Sequence, residues 1–270
     1  MRRCWLLVLV AACEADDPTV SLRFTPDPGP PGSELYQCFA FDVSLLGGSD
    51  IGAIRYIAAE SAVTLHHVSV WASRTRFPAE PVECQEFPGD AVPMNVWVTG
   101  SGDLALASNI SLVIPEGTQQ IVVQTHSLRV DEGPAVERVV EVVPRAPAEH
   151  RAGWFELRAN VPVIEPFSRA EAYSQCALAE SLHVISAWPH MHRMGTEFHG
   201  LVDVAQFRFD NQQTYPLDLD FAAGAVIPTH CIWQNTSDRA ISPGFGIEDE
   251  MCGQAAIVYP YTAARCSFRL

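Results

Sequence analysis

The sequence predicts an all-β protein made of two tandem antiparallel β-sandwich (jelly-roll-like) domains. Turn residues are dense, with 20 Pro and 17 Gly in 270 residues. The stretches between them, such as 63–71, 120–130 and 138–143, are short, alternating and rich in β-branched residues, which favours strands. Short strands at regular spacing are typical of sandwiches and jelly rolls. Only the stretch from Arg169 to Glu180 has some helical character, and its apolar spacing is poor.

A polar segment with two prolines, residues 144–153, separates two strand-rich halves. Exposed polar segments that contain proline commonly join domains. We therefore predict an N-terminal domain over residues 20–147 and a C-terminal domain over residues 150–270, each about the size of one sandwich.

Residues 1–13 read as a targeting segment. Arg2 and Arg3 precede an apolar run that is too short to span a bilayer as a helix. The run ends in Val-Ala-Ala-Cys, which resembles the lipobox of bacterial lipoproteins and predicts a lipid anchor at Cys13. An ordinary signal peptide with a chance cysteine is the alternative. In either case we expect an exported protein, and with the anchor a bacterial cell-envelope lipoprotein, periplasmic or on the outer membrane.

The charge balance excludes several classes of function. Removing residues 1–12 takes away two of the 17 basic residues and none of the 32 acidic ones, which leaves a net charge of −17. So acidic a chain repels nucleic acid and anionic lipid headgroups, and we expect neither as a partner. All basic residues are Arg, so chemistries that need a lysine amine, including Schiff-base and P-loop mechanisms, are excluded.

Six cysteines remain after the targeting segment. An even number in an exported chain favours disulfides over free thiols. Six cysteines allow 15 pairings, and spacing alone selects none of them. The six are Cys38, Cys84, Cys176, Cys231, Cys252 and Cys266.

Histidines in three settings suggest metal ligation. Residues two apart on a strand face the same side, so His190 and His192 can reach one ion. His66 and His67 are adjacent and face opposite sides, so a shared ion requires a strand end or a β-bulge there, or one imidazole that uses its other ring nitrogen. His126 follows Gln124 on an apolar strand, where it could equally be a hydrogen-bonded core residue.

Met251 is a further candidate ligand, because a thioether is a soft donor that suits Cu(I). Methionine beside a strand is more often a core residue, so Met251 is informative only together with the histidines. Glu248, Asp249 and Glu250, which precede it, are expected to form a solvated loop without a catalytic role. The remaining histidines are expected to be structural or at the surface.

Taken together and in order, these motifs resemble the copper type II, ascorbate-dependent monooxygenases, a family that includes peptidylglycine α-hydroxylating monooxygenase and dopamine β-monooxygenase. The family pattern is His-His and Gln-x-His in the first domain, then His-x-His and Asp-Glu-Met-Cys in the second. The resemblance covers roughly residues 30–266. The matching residues are His66-His67, Gln124-Thr125-His126, His190-Met191-His192 and Asp249-Glu250-Met251-Cys252.

The resemblance implies two copper ions in separate sites, with a cleft between the domains. His66, His67 and His126 would hold an electron-supplying copper, and His190, His192 and Met251 an oxygen-activating copper at which catalysis occurs. Ascorbate or a similar one-electron reductant and O2 would be co-substrates, and an aliphatic C–H of a small organic molecule would be hydroxylated. We expect a monomer. The disulfides implied by the resemblance are Cys38–Cys84, Cys176–Cys266 and Cys231–Cys252.

Departures from the family pattern argue against a peptidylglycine substrate. Trp188 stands where the peptide-amidating members have a carboxylate-binding arginine, and Gly253 and Ala255 replace an asparagine and a tyrosine. The replacements predict a more apolar or aromatic substrate.

Two other functions stay open. A copper-binding surface lipoprotein without turnover, used for uptake, storage or adhesion, would retain the same ligands. A zinc hydrolase is disfavoured, because the sequence has no His-Glu-x-x-His motif and Met251 would be an odd zinc ligand.

Overall fold

The computed structural model describes residues 18–57, 63–85, 90–129, 134–263 and 265–269. The predicted targeting segment and Cys13 lie outside them. We call residues 18–145 the first half and residues 150–269 the second half. The first half contains β1 (Val20–Phe24), β2 (Glu34–Asp42), β3 (Asp50–Ile57), β4 (Val63–Ser73), β5 (Val82–Glu83), β6 (Val92–Val98), β7 (Leu104–Ala105), β8 (Ile110–Leu112), β9 (Gln120–Arg129) and β10 (Arg138–Arg145).

The second half contributes nine strands. Two short 3-10 helices, Val43–Leu46 and Tyr261–Ala263, complete the described elements. The strands are β11 (His150–Arg158), β12 (Arg169–Leu178), β13 (Leu182–Met191), β14 (Gly195–His199), β15 (Asp203–Val204), β16 (Tyr215–Phe221), β17 (Val226–Gln234), β18 (Cys252–Tyr259) and β19 (Cys266–Arg269).

The all-β prediction is confirmed, since the described residues contain strands and no α-helix. The suggestion of helical character at Arg169–Glu180 was wrong. Arg169–Leu178 forms β12, which pairs with β17 on one side and β19 on the other. Pairing on both sides satisfies the backbone donors and acceptors, and this outweighs a weak helical pattern.

Each half layers two sheets around an apolar core. In the first half, the sheet β5-β2-β9-β4-β6 faces β1, β10, β3 and β8. Leu22 and Ile54 from one sheet pack in the same cluster as Val68 and Val123 from the other. In the second half, the sheet β15-β14-β17-β12-β19 packs against β11, β18, β13 and β16. This layering is a β-sandwich.

One nine-stranded sheet runs through both halves, in the order β1-β10-β3-β8-β11-β18-β13-β16, with β7 paired to β3. The halves join where β11 pairs with β8 through His150–Ile110, Arg151–Ser111 and Ala152–Leu112. This is a parallel contact, whereas the other pairings between named strands are antiparallel as predicted. The halves are thus continuous through hydrogen bonds. The boundary between two domains stays a prediction.

Three disulfides close the fold, with the pairing that the family resemblance implied. They are Cys38–Cys84, Cys176–Cys266 and Cys231–Cys252. Cys231–Cys252 joins β17 of one sheet to β18 of the other. Disulfides persist in oxidising compartments, so the set indicates an extracellular or periplasmic protein. Within the described residues, no helix has the length and apolar character needed to cross a membrane.

Candidate metal centre

A β-bulge in β4 brings the adjacent histidines to one place. The pairing of β4 with β9 shifts register between Leu65 and His67, so Leu65 faces Ser127 and His67 faces His126, with His66 as the extra residue. Such a bulge re-aims a side chain. One ring nitrogen each from His66, His67 and His126 then lies within 4.8 Å of the others. The strand irregularity that the sequence required for a shared ion is present.

The closest approach in this group is between His66 and His126. Their Nδ1 atoms are 3.0 Å apart. Two nitrogens that ligate one ion at about 2.0 Å each lie about 3 Å apart, so the spacing suits a common metal. The other ring nitrogen of His66, Nε2, is buried and has no hydrogen-bond partner among the described residues.

The outer nitrogens of His126 and His67 are held by oxygen acceptors. His126 Nε2 lies 2.5 Å from Glu34 Oε1, and His67 Nε2 lies 3.2 Å from Gln124 Oε1. Gln124 Nε2 donates to the carbonyl of Cys84 at 2.7 Å, which orients the amide so that its oxygen faces His67. A partner on Nε2 fixes the tautomer and leaves the Nδ1 lone pair for a metal.

The second group shows the reverse arrangement. His190 Nδ1 lies 2.8 Å from Gln212 Oε1, and His192 Nδ1 lies 3.0 Å from the carbonyl of Asp249. Their Nε2 atoms are therefore the ones left for a ligand. The two ring centroids are 5.1 Å apart, as expected for residues two apart at the end of β13. The predicted His-x-His geometry is thus present.

Glu250 is buried, which corrects the prediction of a solvated acidic loop. Its carboxylate accepts from the backbone N–H groups of His192 at 3.0 Å and Met194 at 2.6 Å, and from Trp233 Nε1 at 2.8 Å. Only 1% of its surface is exposed. Burial raises the pKa of Glu250 to about 7, although these donors favour the charged form. Glu250 ties the segment before Met251 to the strand end that carries His192.

The two histidine groups are in contact. The ring centroids of His66 and His192 are 5.5 Å apart, and Phe209 of the second half stacks on His66 at 5.0 Å. The separation of the two sites that the resemblance implied is therefore not seen here. Five histidines from β4, β9 and the end of β13 form one cluster where the halves meet, which we call the seam cluster: His66, His67, His126, His190 and His192.

Hydrogen bonds to a second-half loop hold the halves together beside this cluster. Tyr36, which stacks on His126 with centroids 3.9 Å apart, donates its hydroxyl to the carbonyl of Phe245 at 2.5 Å. The backbone N–H of Ile247 donates to Glu34 Oε1 at 2.9 Å. Glu34 therefore contacts a first-half histidine and the second-half loop with the same oxygen.

Burial sets the charge of the seam cluster. It is the largest cause of the lowered pKa at each of the five histidines, and the neighbouring histidines lower most of these values further. The pKa of His67 falls to about 4 and that of His126 to about 2. All five are neutral at pH 7, which is the protonation state of a metal-ligating imidazole.

Met251 lies on the wall of a cavity beside the cluster, just before β18. The cavity has a volume of about 390 Å³ and is lined by residues of both halves, including His67 and His190. Trp188 stacks on His190 with centroids 4.8 Å apart. Trp71 and Trp154 add further aromatic wall. The cavity therefore has walls from both halves of the chain.

Several residues that orient the cluster were not recognised in the sequence. Glu34, Tyr36 and Gln212 carry no local motif and reach the histidines only through the fold. Gln124 was visible as part of Gln-x-His, but its contact with His67 depends on the β4–β9 register. Glu250 was masked by its acidic neighbours, since an acidic run normally indicates a solvated segment.

Comparisons with known proteins add little. No protein-family model matches the chain, and no curated protein is significantly similar to it. Among solved structures, the major capsid protein P2 from bacteriophage PM2 has a TM-score of 0.29 and 12% identity, over 89% of this chain and 97% of that chain. A TM-score this low carries no argument about function.

Proposed function

We propose that this protein is a copper-dependent monooxygenase that hydroxylates an aliphatic C–H of a small organic substrate, with O2 and ascorbate or another one-electron reductant. One observation carries the proposal. Four neutral histidines each have one ring nitrogen held by an oxygen acceptor, and together with His66 they form one cluster beside a cavity that His67 and His190 line.

The donor set fits copper. Imidazoles bind both oxidation states, and a thioether favours Cu(I). His66, His67 and His126 would hold one ion, and His190, His192 and Met251 a second. The 3.0 Å spacing between the Nδ1 atoms of His66 and His126 fits a cation held by both rings. When bound, copper supplies the one-electron chemistry and oxygen activation that amino acid side chains lack.

The residues of the chain itself orient and enclose the site. Glu34, Gln124 and Gln212 fix ring tautomers, and Glu250 with the Cys231–Cys252 disulfide holds the segment that carries Met251. Burial of the imidazoles excludes water from the cluster. The aromatic walls of the cavity favour an apolar or aromatic substrate beside Met251.

The residues that differ from the substrate contacts of the family are neighbours in the sheet. Trp188 on β13 pairs with Ala255 on β18, and His190 pairs with Gly253. The three residues that replace the peptide contacts of the family thus lie together beside the cluster, where they favour a small substrate over peptidylglycine. We further propose export as a monomeric lipoprotein anchored at Cys13.

The test is copper content and oxygen uptake. We would reconstitute wild type, His126→Ala and Met251→Ala with copper, use His230→Ala on β17 as the control, and follow ascorbate-dependent oxygen consumption with small aromatic substrates. Two coppers per chain, one lost in His126→Ala, and uptake abolished by either site variant would support the proposal.

Other outcomes lead elsewhere. Bound copper without uptake for any substrate would favour the copper-binding lipoprotein. Protein that binds no copper would overturn both alternatives.

A further inference from the structure

The floor of the cavity is a small grid on one face of the nine-stranded sheet. β18 lies in the middle, with β11 and β13 on either side. Gly253 faces Arg158 on β11 and His190 on β13. Two residues along, Ala255 faces Glu156 and Trp188. Directly opposed residues share a face of the sheet. The middle strand therefore contributes only small side chains to the floor, and the two strands beside it contribute the functional groups.

Most of the N–H groups of the Arg158 side chain have no hydrogen-bond partner among the described residues. Its Nε donates to Glu156 Oε1 at 2.5 Å, and this is its side-chain hydrogen bond among the described residues. The guanidinium carries four further N–H groups on Nη1 and Nη2. Glu156 thus orients the fork through one edge and leaves the end that binds carboxylates in a bidentate manner.

Two tryptophans of the cavity wall also have indole donors without a partner in the described part of the chain. The indole N–H groups of Trp154 and Trp188 are buried and lack a partner among the described residues. Among the described residues, no side-chain oxygen of the cavity lining is buried without a hydrogen-bond partner. The free Nη groups of Arg158, which lines the cavity, favour a ligand that brings acceptor oxygens. A carboxylate brings them, and an ammonium does not.

From these contacts we infer that the cavity binds an aromatic carboxylate, with the carboxylate on Arg158 and the ring against Trp154 and Trp188. Arg158 and His190 lie on strands two apart, so their backbones are about 10 Å apart. That span accommodates a short alkyl chain between the anion and a C–H near His190 and Met251. This inference names the substrate class for the proposed function, but the binding itself needs no metal.

The experiment uses three probes of matched shape on the metal-free full chain: 3-phenylpropionate, its neutral amide and 3-phenylpropylamine. Tryptophan fluorescence and calorimetry give the dissociation constants. We expect the carboxylate to bind about tenfold or more tighter than the amide, because charge-assisted bidentate hydrogen bonds are strong. Arg158→Gln should abolish that preference, and Arg158→Lys should restore part of it.

Two further variants separate the explanations. Arg23→Gln removes an exposed arginine on β1, which is paired with Glu137 just before β10. This control should leave all three affinities unchanged. Glu156→Gln should retain the carboxylate preference, because the fork keeps its free end.

Equal affinity for the three probes, or a preference unaffected by Arg158→Gln, would overturn the inference. A preference for the amine that is lost in Glu156→Gln would assign the cavity to cations instead. Copper content, measured separately, distinguishes the two proposals: failed probe binding with intact copper sites overturns only the substrate class, and the converse overturns only the monooxygenase.

Discussion

The two histidine groups use opposite ring nitrogens for their hydrogen bonds to oxygen acceptors. In the first half, oxygen acceptors hold the Nε2 atoms of His67 and His126, which leaves Nδ1 as the nitrogen for a ligand; the Nδ1 of His126 lies 3.0 Å from that of His66. In the second half, the Nδ1 atoms of His190 and His192 are held and Nε2 is left free. Within the described residues, only the first group has a ring nitrogen held by a carboxylate, that of Glu34 on His126. A carboxylate raises the basicity of its imidazole, whereas neutral acceptors do so less, so the first group contains the more basic imidazole.

The groups also differ in how they are anchored. The first-half histidines sit within β4 and β9, where the strand ladder positions them. His192 and Met251 lie just outside β13 and β18 and depend on Glu250 and the Cys231–Cys252 disulfide. A ligand within a sheet is positioned by many backbone hydrogen bonds, whereas a ligand at a strand end depends on a few side chains. The second group should therefore be the easier one to disrupt.

The largest effect is expected for Glu250→Ala. It leaves three buried N–H donors without an acceptor and should lower the free energy of unfolding by about 3 kcal/mol or more. Copper at the second group should be lost while the first group keeps its ion. Thermal unfolding and copper content measure the two effects. Glu250→Gln, which keeps one acceptor oxygen, should be milder, and Glu180→Ala at an exposed position should change neither; equal losses at both groups would contradict the comparison.

Mild acid should destabilise the metal-free protein. The folded-state pKa of His67 is about 4 and that of His126 about 2, against an ordinary value of 6.5. The unfolded chain therefore binds more protons below pH 6.5, and the stability contributed by the neutral histidines is lost as pH falls towards 4. The melting temperature should drop by several degrees over this range.

One neighbouring group acts with the opposite sign. The raised pKa of Glu250, about 7, makes its contribution to stability fall as pH rises from 4.5 to 7. Five histidines outnumber this one carboxyl, so acid destabilisation should dominate, and it should steepen in Glu250→Gln. A melting temperature independent of pH would argue that the histidines are hydrated.

Glu34→Gln should weaken the first group selectively. The change replaces the carboxylate at His126 Nε2 with a neutral amide, and loss of such a partner typically lowers metal affinity about 10- to 100-fold. Competition with a copper chelator measures the affinity of each site. Glu83→Gln, an exposed change on β5, serves as the control. If the second group weakened to the same extent, the two groups would form one centre rather than two.

Tyr36→Phe should have the smallest effect. It keeps the ring on His126 but removes the hydroxyl that donates to the Phe245 carbonyl, at a cost of about 1 kcal/mol in unfolding free energy. Hydrogen exchange of the 244–250 segment should rise while copper content stays the same. Unchanged exchange would show that the contact between the halves does not depend on this hydrogen bond.

Part of this architecture could be predicted from local sequence. Alternating β-branched stretches predicted strands, and the neighbouring His66 and His67 made a bulge one of the arrangements that would allow a shared ion. The disulfide pairing came from the family resemblance, because spacing leaves 15 possibilities open. Glu250 could not be recognised, since its donors come from residues 192, 194 and 233, which are distant in sequence.

By itself, the sequence determined the all-β class, the candidate ligands and the His-x-His face, because these depend on strand periodicity and residue chemistry over a few positions. Only the tertiary structure decided that His66 meets His192, that one sheet runs through both halves, and that an acidic residue is buried. These features depend on which distant strands pair and in what register, and local patterns do not encode that choice.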